Sequence, residues 1–288
     1  MTGRNIQPGN SAGKSTNAVG LRRGLLLQAL AGLGFFARAH WAGLRHVAAV
    51  IGTVLWTGLM PRYWTRAART AFARQVLSIG VEPVGFVCTL AAFVGISVVV
   101  QLAFWAGKAG QSELVGPVLV AVVARELGPV LINLVVIVRS GSAMTTELGV
   151  LKLDGELLAL QAKGGDPFLH LVMPRVLGVA VSTFCLTVVF ILVAFASGFL
   201  FAAWTGKGSR DLFLFVDTVS RAVHPKDALN IVAKSILPAL FASACCCIGG
   251  LGVGGSVTAI PPATQRALTR SVAGLFVISA VISLLTYL

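Results

Sequence analysis

Charge is scarce in this sequence, and acidic charge is scarcer still. Ten Asp and Glu stand against 23 Lys and Arg in 288 residues, and charged residues make up only 11% of the chain. A water-soluble domain carries about 25%. With 56% hydrophobic residues and a mean hydropathy of +0.88, the composition excludes an ordinary soluble domain and points to an all-α polytopic membrane protein. Histidine is also sparse, and His40, His46, His170 and His224 show no ligand spacing. The five cysteines, Cys88, Cys185 and Cys245 to Cys247, lack C-x-x-C spacing and sit in apolar surroundings. No metal site or disulfide framework is expected. The chain has no H-E-x-x-H, no Ser/His/Asp set and no paired intramembrane aspartates, so no catalytic residue is assigned. No apolar core marks a secretory signal peptide in the first twenty residues.

Acidic residues are wholly absent from residues 1–80, which hold ten Lys and Arg. A basic flank of this kind stays on the cytoplasmic side of a membrane. Nucleic acid is the competing partner for a basic segment, but here the arginines are interleaved with long apolar runs, so the membrane surface is preferred and no nucleic-acid partner is expected. Residues 1–17 read as a disordered basic tail. They contain Pro8 to Thr16, which approaches a phosphate-loop signature but has proline where the signature needs glycine. Residues 18–80 read as interfacial amphipathic helices. The run Val47 to Met60 is fourteen residues, short of the ~20 needed to span. Residues 62–78 place Arg62, Arg66 and Arg69 on one helical face, suited to headgroups.

The transmembrane domain is expected over 81–288, with five spans: about Val81 to Ala106, Leu114 to Met144, Phe168 to Trp204, Ala228 to Ile248 and Ala267 to Leu288. Pro117 and Pro129 are expected to break the second. Five spans place the chain ends on opposite sides, with the N-terminus cytoplasmic and the C-terminus outside. Residues 149–163 and the glycine-rich turn at 249–266 then face the cytoplasm.

Arg125-Glu126 is the anomaly. An ionised side chain at the centre of a span costs about 2.5–3.5 kcal/mol, so such residues tend to line polar cavities. A mutually neutralising pair near one interface is the plainer account. Asp227 and Lys234 lie seven residues apart on one helical face at the start of the fourth span. They either snorkel or reach the same cavity. Residues 149–163 read as one amphipathic helix of about 22 Å, with Val150, Leu153, Leu157 and Leu160 on an apolar face and Lys152, Glu156 and Lys163 opposite. It is either a simple interfacial connector or a lever pressed into a cytoplasmic motor.

Several motifs together resemble the MlaE/YrbE permease family, the membrane subunit of MCE-associated lipid ABC transporters. They are Arg125 to Val130, Arg139 to Ala143, Glu147 to Gly149, Asp166-Pro167 and Pro174-Arg175, with weaker similarity at Asp227, Lys234-Ser235, Thr269 and Arg266/Arg270. The resemblance spans residues 75–288. It implies a permease paired with a second copy, as a homodimer or heterodimer, in the inner membrane. It implies partner ABC ATPases that bind the ATP and magnesium, a carrier with an MCE domain on the outer side, in some complexes a STAS-domain subunit, and phospholipid as cargo. By the same resemblance Arg125, Glu126, Asp227, Lys234 and Arg266 line or border the lipid cavity. The 149–163 segment becomes the coupling helix, with Leu153, Glu156, Leu157, Leu160 and Lys163 at the ATPase contact. The family has Thr-Glu-Gln near the start of that helix, where this chain has Asp154-Gly155-Glu156. Two other functions fit the residues alone: an ion-coupled transporter using Arg125-Glu126 as a proton relay, and a non-transporting membrane scaffold.

Overall fold

The computed structural model describes residues 43, 45–109, 118, 120–205 and 225–287. The contacts divide the chain into two units, Met1–Ala48 and Ala49–Leu288. The tail and most of the basic run before residue 43 lie outside the described residues. In the second unit all regular structure among the described residues is helical, and five helical runs are long and apolar enough to cross a membrane.

The first span is a composite. Helix α1 (Arg66–Val76) begins at Thr65, whose hydroxyl accepts from the Ala68 amide and caps the first turn. A separate 3-10 turn, Pro61–Tyr63, carries Arg62, so the amphipathic helix expected from residue 62 starts at Arg66. Arg66, Arg69 and Arg74 are exposed and Ala68 is buried. Trp64 packs edge-on against Phe72 and donates to the Gly58 carbonyl, tying this segment to the helical residues 49–59 before it. A wide π turn, Leu77–Val81, leads into α2 (Val84–Ala109).

Among the described residues the second span runs Val120–Leu153, past the expected end at Met144, and Pro129 does not break it. A π-helical stretch, Val120–Leu127, hands over to α3 (Gly128–Val136) with the proline in the first turn of the new helix. There a missing N–H costs little. A second π turn, Ile137–Gly141, precedes α4 (Ser142–Leu153). Pro117 lies outside the described residues.

Helix α4 ends at Leu153 with Asp154 as its cap, and Gly155, with φ of 76°, separates it from the next helix. The expectation of one helix over 149–163 is therefore corrected. A left-handed residue cannot sit inside a right-handed helix, and glycine adopts that conformation without a Cβ penalty. Only Glu156–Ala162 forms the separate helix α5. Gly149, Val150, Lys152 and Leu153 belong to the end of the second span.

The third span, Phe168–Trp204, consists of a π turn and α6 (Met173–Thr205). Gly95 on α2 lies so close to the Ala194 backbone on α6 that no side chain fits there. Ser197 donates to the Ala92 carbonyl across the same contact. Small residues allow this approach, which drives helix association where lipid offers no hydrophobic contrast.

Helix α7 (Pro225–Leu251) and helix α8 (Ile260–Tyr287) complete the bundle. The expected turn at 249–266 is shorter: Pro261 and Pro262 sit in the first turn of α8, where a missing N–H is tolerated. The fourth span is the most enclosed, with 61% of its apolar window buried against 22% for the fifth. Its cysteines 245–247 fill the packing inside, all three buried.

Candidate functional site

Helix α7 and the second span run parallel, and polar side chains join them at four levels. Arg125 Nη2 contacts Asp227 Oδ2 at 2.7 Å. Asn133 Nδ2 donates to the carbonyl of Lys234 at 3.1 Å. Thr145 donates to the carbonyl of Cys246 at 3.2 Å. Lys152 Nζ donates to the carbonyl of Leu251 at 2.6 Å, at the last residue of α7. The partners keep nearly one register throughout. Along the second span the ladder covers 28 residues, or about 40 Å at 1.5 Å per step.

The charged level is the most elaborate. Arg125 and Glu126 do not neutralise each other. Arg125 turns to Asp227, and Glu126 Oε1 accepts from Lys234 Nζ at 2.6 Å. Lys234 Nζ also donates to the Arg125 carbonyl at 3.3 Å. Ser283, near the end of α8, donates to the same Glu126 oxygen at 3.1 Å. Three spans therefore meet here. Asp227 sits in the first turn of α7, where the helix dipole favours a negative charge as well.

Burial grades the four charged groups. The Lys234 side chain is 0% exposed and that of Asp227 is 4%, whereas that of Arg125 is 22% and that of Glu126 is 48%. The buried members are held by partners, as desolvated charges require. Glu126 opens to the outside of the bundle. It is thus a carboxylate with a buried ammonium behind it and a free flank in front.

Two prolines shape this level. Pro129 follows Arg125 by four residues and supplies no N–H to the Arg125 carbonyl; Lys234 donates there. Pro238 follows Lys234 by four residues and supplies no N–H to the Lys234 carbonyl; Asn133 donates there. Asn133 is 1% exposed. The sequence reading missed Asn133 and Ser283. The spacing of each proline, four residues after a charged one, was the available signal for the first.

Arg266 is not part of this cluster. It lies on the second turn of α8 and donates to the Pro262 carbonyl at 3.0 Å. Ser283, which meets Glu126, stands 17 residues further along the helix, about 25 Å away. Arg266 is instead at the turn end, where α4 closes on α7 and α8.

At that turn end, α5 stands out with no buried residue. Leu157 and Leu160 are half-buried, Leu153 is half-buried on α4, and Glu156 and Lys163 are exposed. Leu158, not singled out by the apolar pattern, is the most exposed leucine of the helix at 70%. Gly164, with φ of 75°, ends the segment. Near this end Arg175 pairs with Glu147 at 3.2 Å, while midway along the second span Arg139 pairs with Glu82 at 3.1 Å. Among the described residues no three His, Cys, Asp or Glu side chains cluster as metal ligands would.

The second span and α7 thus carry a charged level at one end, and the exposed short helix α5 follows the other end of the second span. The model of the family described as Permease MlaE matches residues 72–285. The chain belongs to the MlaE permease family. Among curated relatives it is 27% identical over 222 residues to a probable ABC transporter permease protein of Synechocystis, covering 77% of this chain and 84% of that protein. It is 27% identical over 210 residues to the chloroplastic protein trigalactosyldiacylglycerol 1 of Arabidopsis thaliana, covering 73% of this chain but only 59% of the plant protein. It is also 27% identical over 163 residues to the intermembrane phospholipid transport system permease protein MlaE of Haemophilus influenzae, covering 55% and 61% of the two chains. This permease is thus a multi-pass membrane transport subunit.

Proposed function

We propose that this permease is the membrane-spanning subunit of an ATP-driven phospholipid transporter, with the Arg125–Glu126–Asp227–Lys234 level as the place where a lipid headgroup is met. The observation that carries the reading is the graded charge site: a buried Lys234 holds Glu126 at 2.6 Å, and Glu126 keeps a free flank toward the outside of the bundle. A zwitterionic or anionic headgroup finds both signs of charge there, and its acyl chains find the apolar faces of neighbouring spans. Phospholipid as cargo is what the name of the Haemophilus relative states for that protein.

In this reading a second permease copy covers the open flank of Glu126, as a homodimer or a heterodimer. A separate pair of ATPases binds ATP and magnesium and engages α5. The parallel ladder from Lys152 to Arg125 carries the motion. An MCE-domain carrier receives or delivers lipid on the far side, with a STAS-domain subunit as a further partner. In this reading the chain lies in the inner membrane with its N-terminus cytoplasmic and its C-terminus periplasmic, and the basic flank supports a cytoplasmic N-terminus.

Purification from native membranes in mild detergent, followed by mass spectrometry of bound proteins and lipids, tests this directly. An ABC-type ATPase together with phospholipid is the expected result. A preparation that carries neither overturns the reading.

A further inference from the structure

We infer that Asn133 is a positioning residue for the headgroup site: by donating to the carbonyl that Pro238 deprives of its helical donor, it sets Lys234 against Glu126. The functional consequence rests on the lipid-permease reading above.

The geometry is reciprocal. Asn133 Nδ2 lies 2.8 Å from the Pro129 carbonyl on its own span and 3.1 Å from the Lys234 carbonyl on α7, with the Ser235 carbonyl at 3.4 Å. The one amide therefore ties two helices together. Seven residues earlier on the same face, Glu126 takes the other end of Lys234. Lys234 is thus held at both ends by one face of the second span, by its backbone at Asn133 and by its ammonium at Glu126. Two turns of helix separate those holds. An α7 that slid along the second span would lose both.

Asn133 is 1% exposed, so it reaches neither a lipid nor a partner chain itself. A polar amide at such depth is expensive unless it is bonded. Pro238 explains why it is there. In an uninterrupted helix residue 238 would donate to Lys234, and Asn133 would have no such role. The two residues form a matched pair, which makes the inference testable by a double-mutant cycle.

The experiment uses the intact transporter complex in proteoliposomes, with two readouts: ATP-dependent transfer of fluorescent phospholipid, and acylation of Lys234 by a membrane-permeant amine reagent, read by mass spectrometry. Asn133→Leu is expected to lower transfer by about tenfold and to raise Lys234 acylation. Pro238→Ala, which restores a helical donor, sets the reference for the cycle, and in that background the further loss caused by Asn133→Leu is expected to shrink from about tenfold to within about twofold. The double variant Asn133→Leu/Pro238→Ala is expected to resemble Pro238→Ala alone. A merely structural asparagine would lose as much in either background. The inference is overturned if Asn133→Leu changes nothing, if its loss persists beside Pro238→Ala, or if Pro238→Ala alone abolishes both readouts. A wild-type complex that transfers no phospholipid counts against the permease reading only, and Lys234 acylation then decides the role of Asn133.

Discussion

Lys234 donates from its ammonium to the backbone carbonyl of Arg125, at 3.3 Å, as well as to the Glu126 carboxylate beside it. The carbonyl is one that Pro129 cannot serve. A lysine deep in a span is therefore satisfied by an ion pair and by the helix geometry that a proline imposes. These bonds hold the charges of the second and fourth spans together.

The ion pairs set the first prediction. Arg125→Leu takes the 2.7 Å ion pair away from the buried Asp227, and a lower melting temperature is expected. Removing both charges, as Arg125→Leu/Asp227→Leu, is expected to recover most of that loss. Thermal unfolding in detergent measures it. A double variant as unstable as the single one would show that the pair does not hold these spans together.

The turn at Gly155 gives a second. Gly155→Ala forces φ near 76° on a residue with a Cβ, at about 1–2 kcal/mol. No neighbour approaches the added methyl, so the effect is one of backbone alone. Gly155→Asn is expected to be milder, because Asn tolerates this conformation. Equal melting temperatures for Gly155→Ala and wild type would contradict the left-handed turn.

The exposed helix α5 gives a third. Leu158→Asp charges a side chain that points away from the bundle, whereas Leu157→Asp charges one turned partly inward. Leu158→Asp is expected to weaken retention of the ATPase by about tenfold with little change in thermal stability, while Leu157→Asp lowers stability as well. Co-purification and melting curves on the same samples separate the two. Undiminished ATPase retention in Leu158→Asp would remove this face from the motor contact.

The close approach of α2 and α6 gives a fourth. Gly95→Val places a branched side chain against the Ala194 backbone and Ser197. Overpacking of this kind costs about 1–3 kcal/mol. A melting temperature equal to wild type would mean that the two helices are further apart than described.

Much of this was legible in the sequence, because hydropathy reports spans and charge reports exceptions to them. Five apolar runs gave five spans, and Arg125, Glu126, Asp227 and Lys234 stood out as charges that a membrane tolerates only with partners. What pairs with what was not legible. Adjacency suggested Arg125 with Glu126, but neighbours in a helix point about 100° apart, and each found its partner on α7. Arg266 was grouped with the cluster through the family pattern and lies about 25 Å along α8 from Ser283. Gly155 was visible as a departure from that pattern, yet the apolar spacing continued through it and suggested one helix. Periodicity does not register a single residue whose backbone interrupts the helix. Asn133 and Ser283 look ordinary in an apolar run and acquire meaning only from what stands opposite them.

The central claim is that Glu126, backed by Lys234, meets the transported lipid. ATP-dependent transfer of fluorescent phospholipid by the complex carrying Glu126→Gln tests it most directly, with ATPase co-purification as the control for assembly. Transfer reduced about tenfold with the ATPase retained is the predicted result. Transfer at the wild-type rate would contradict it.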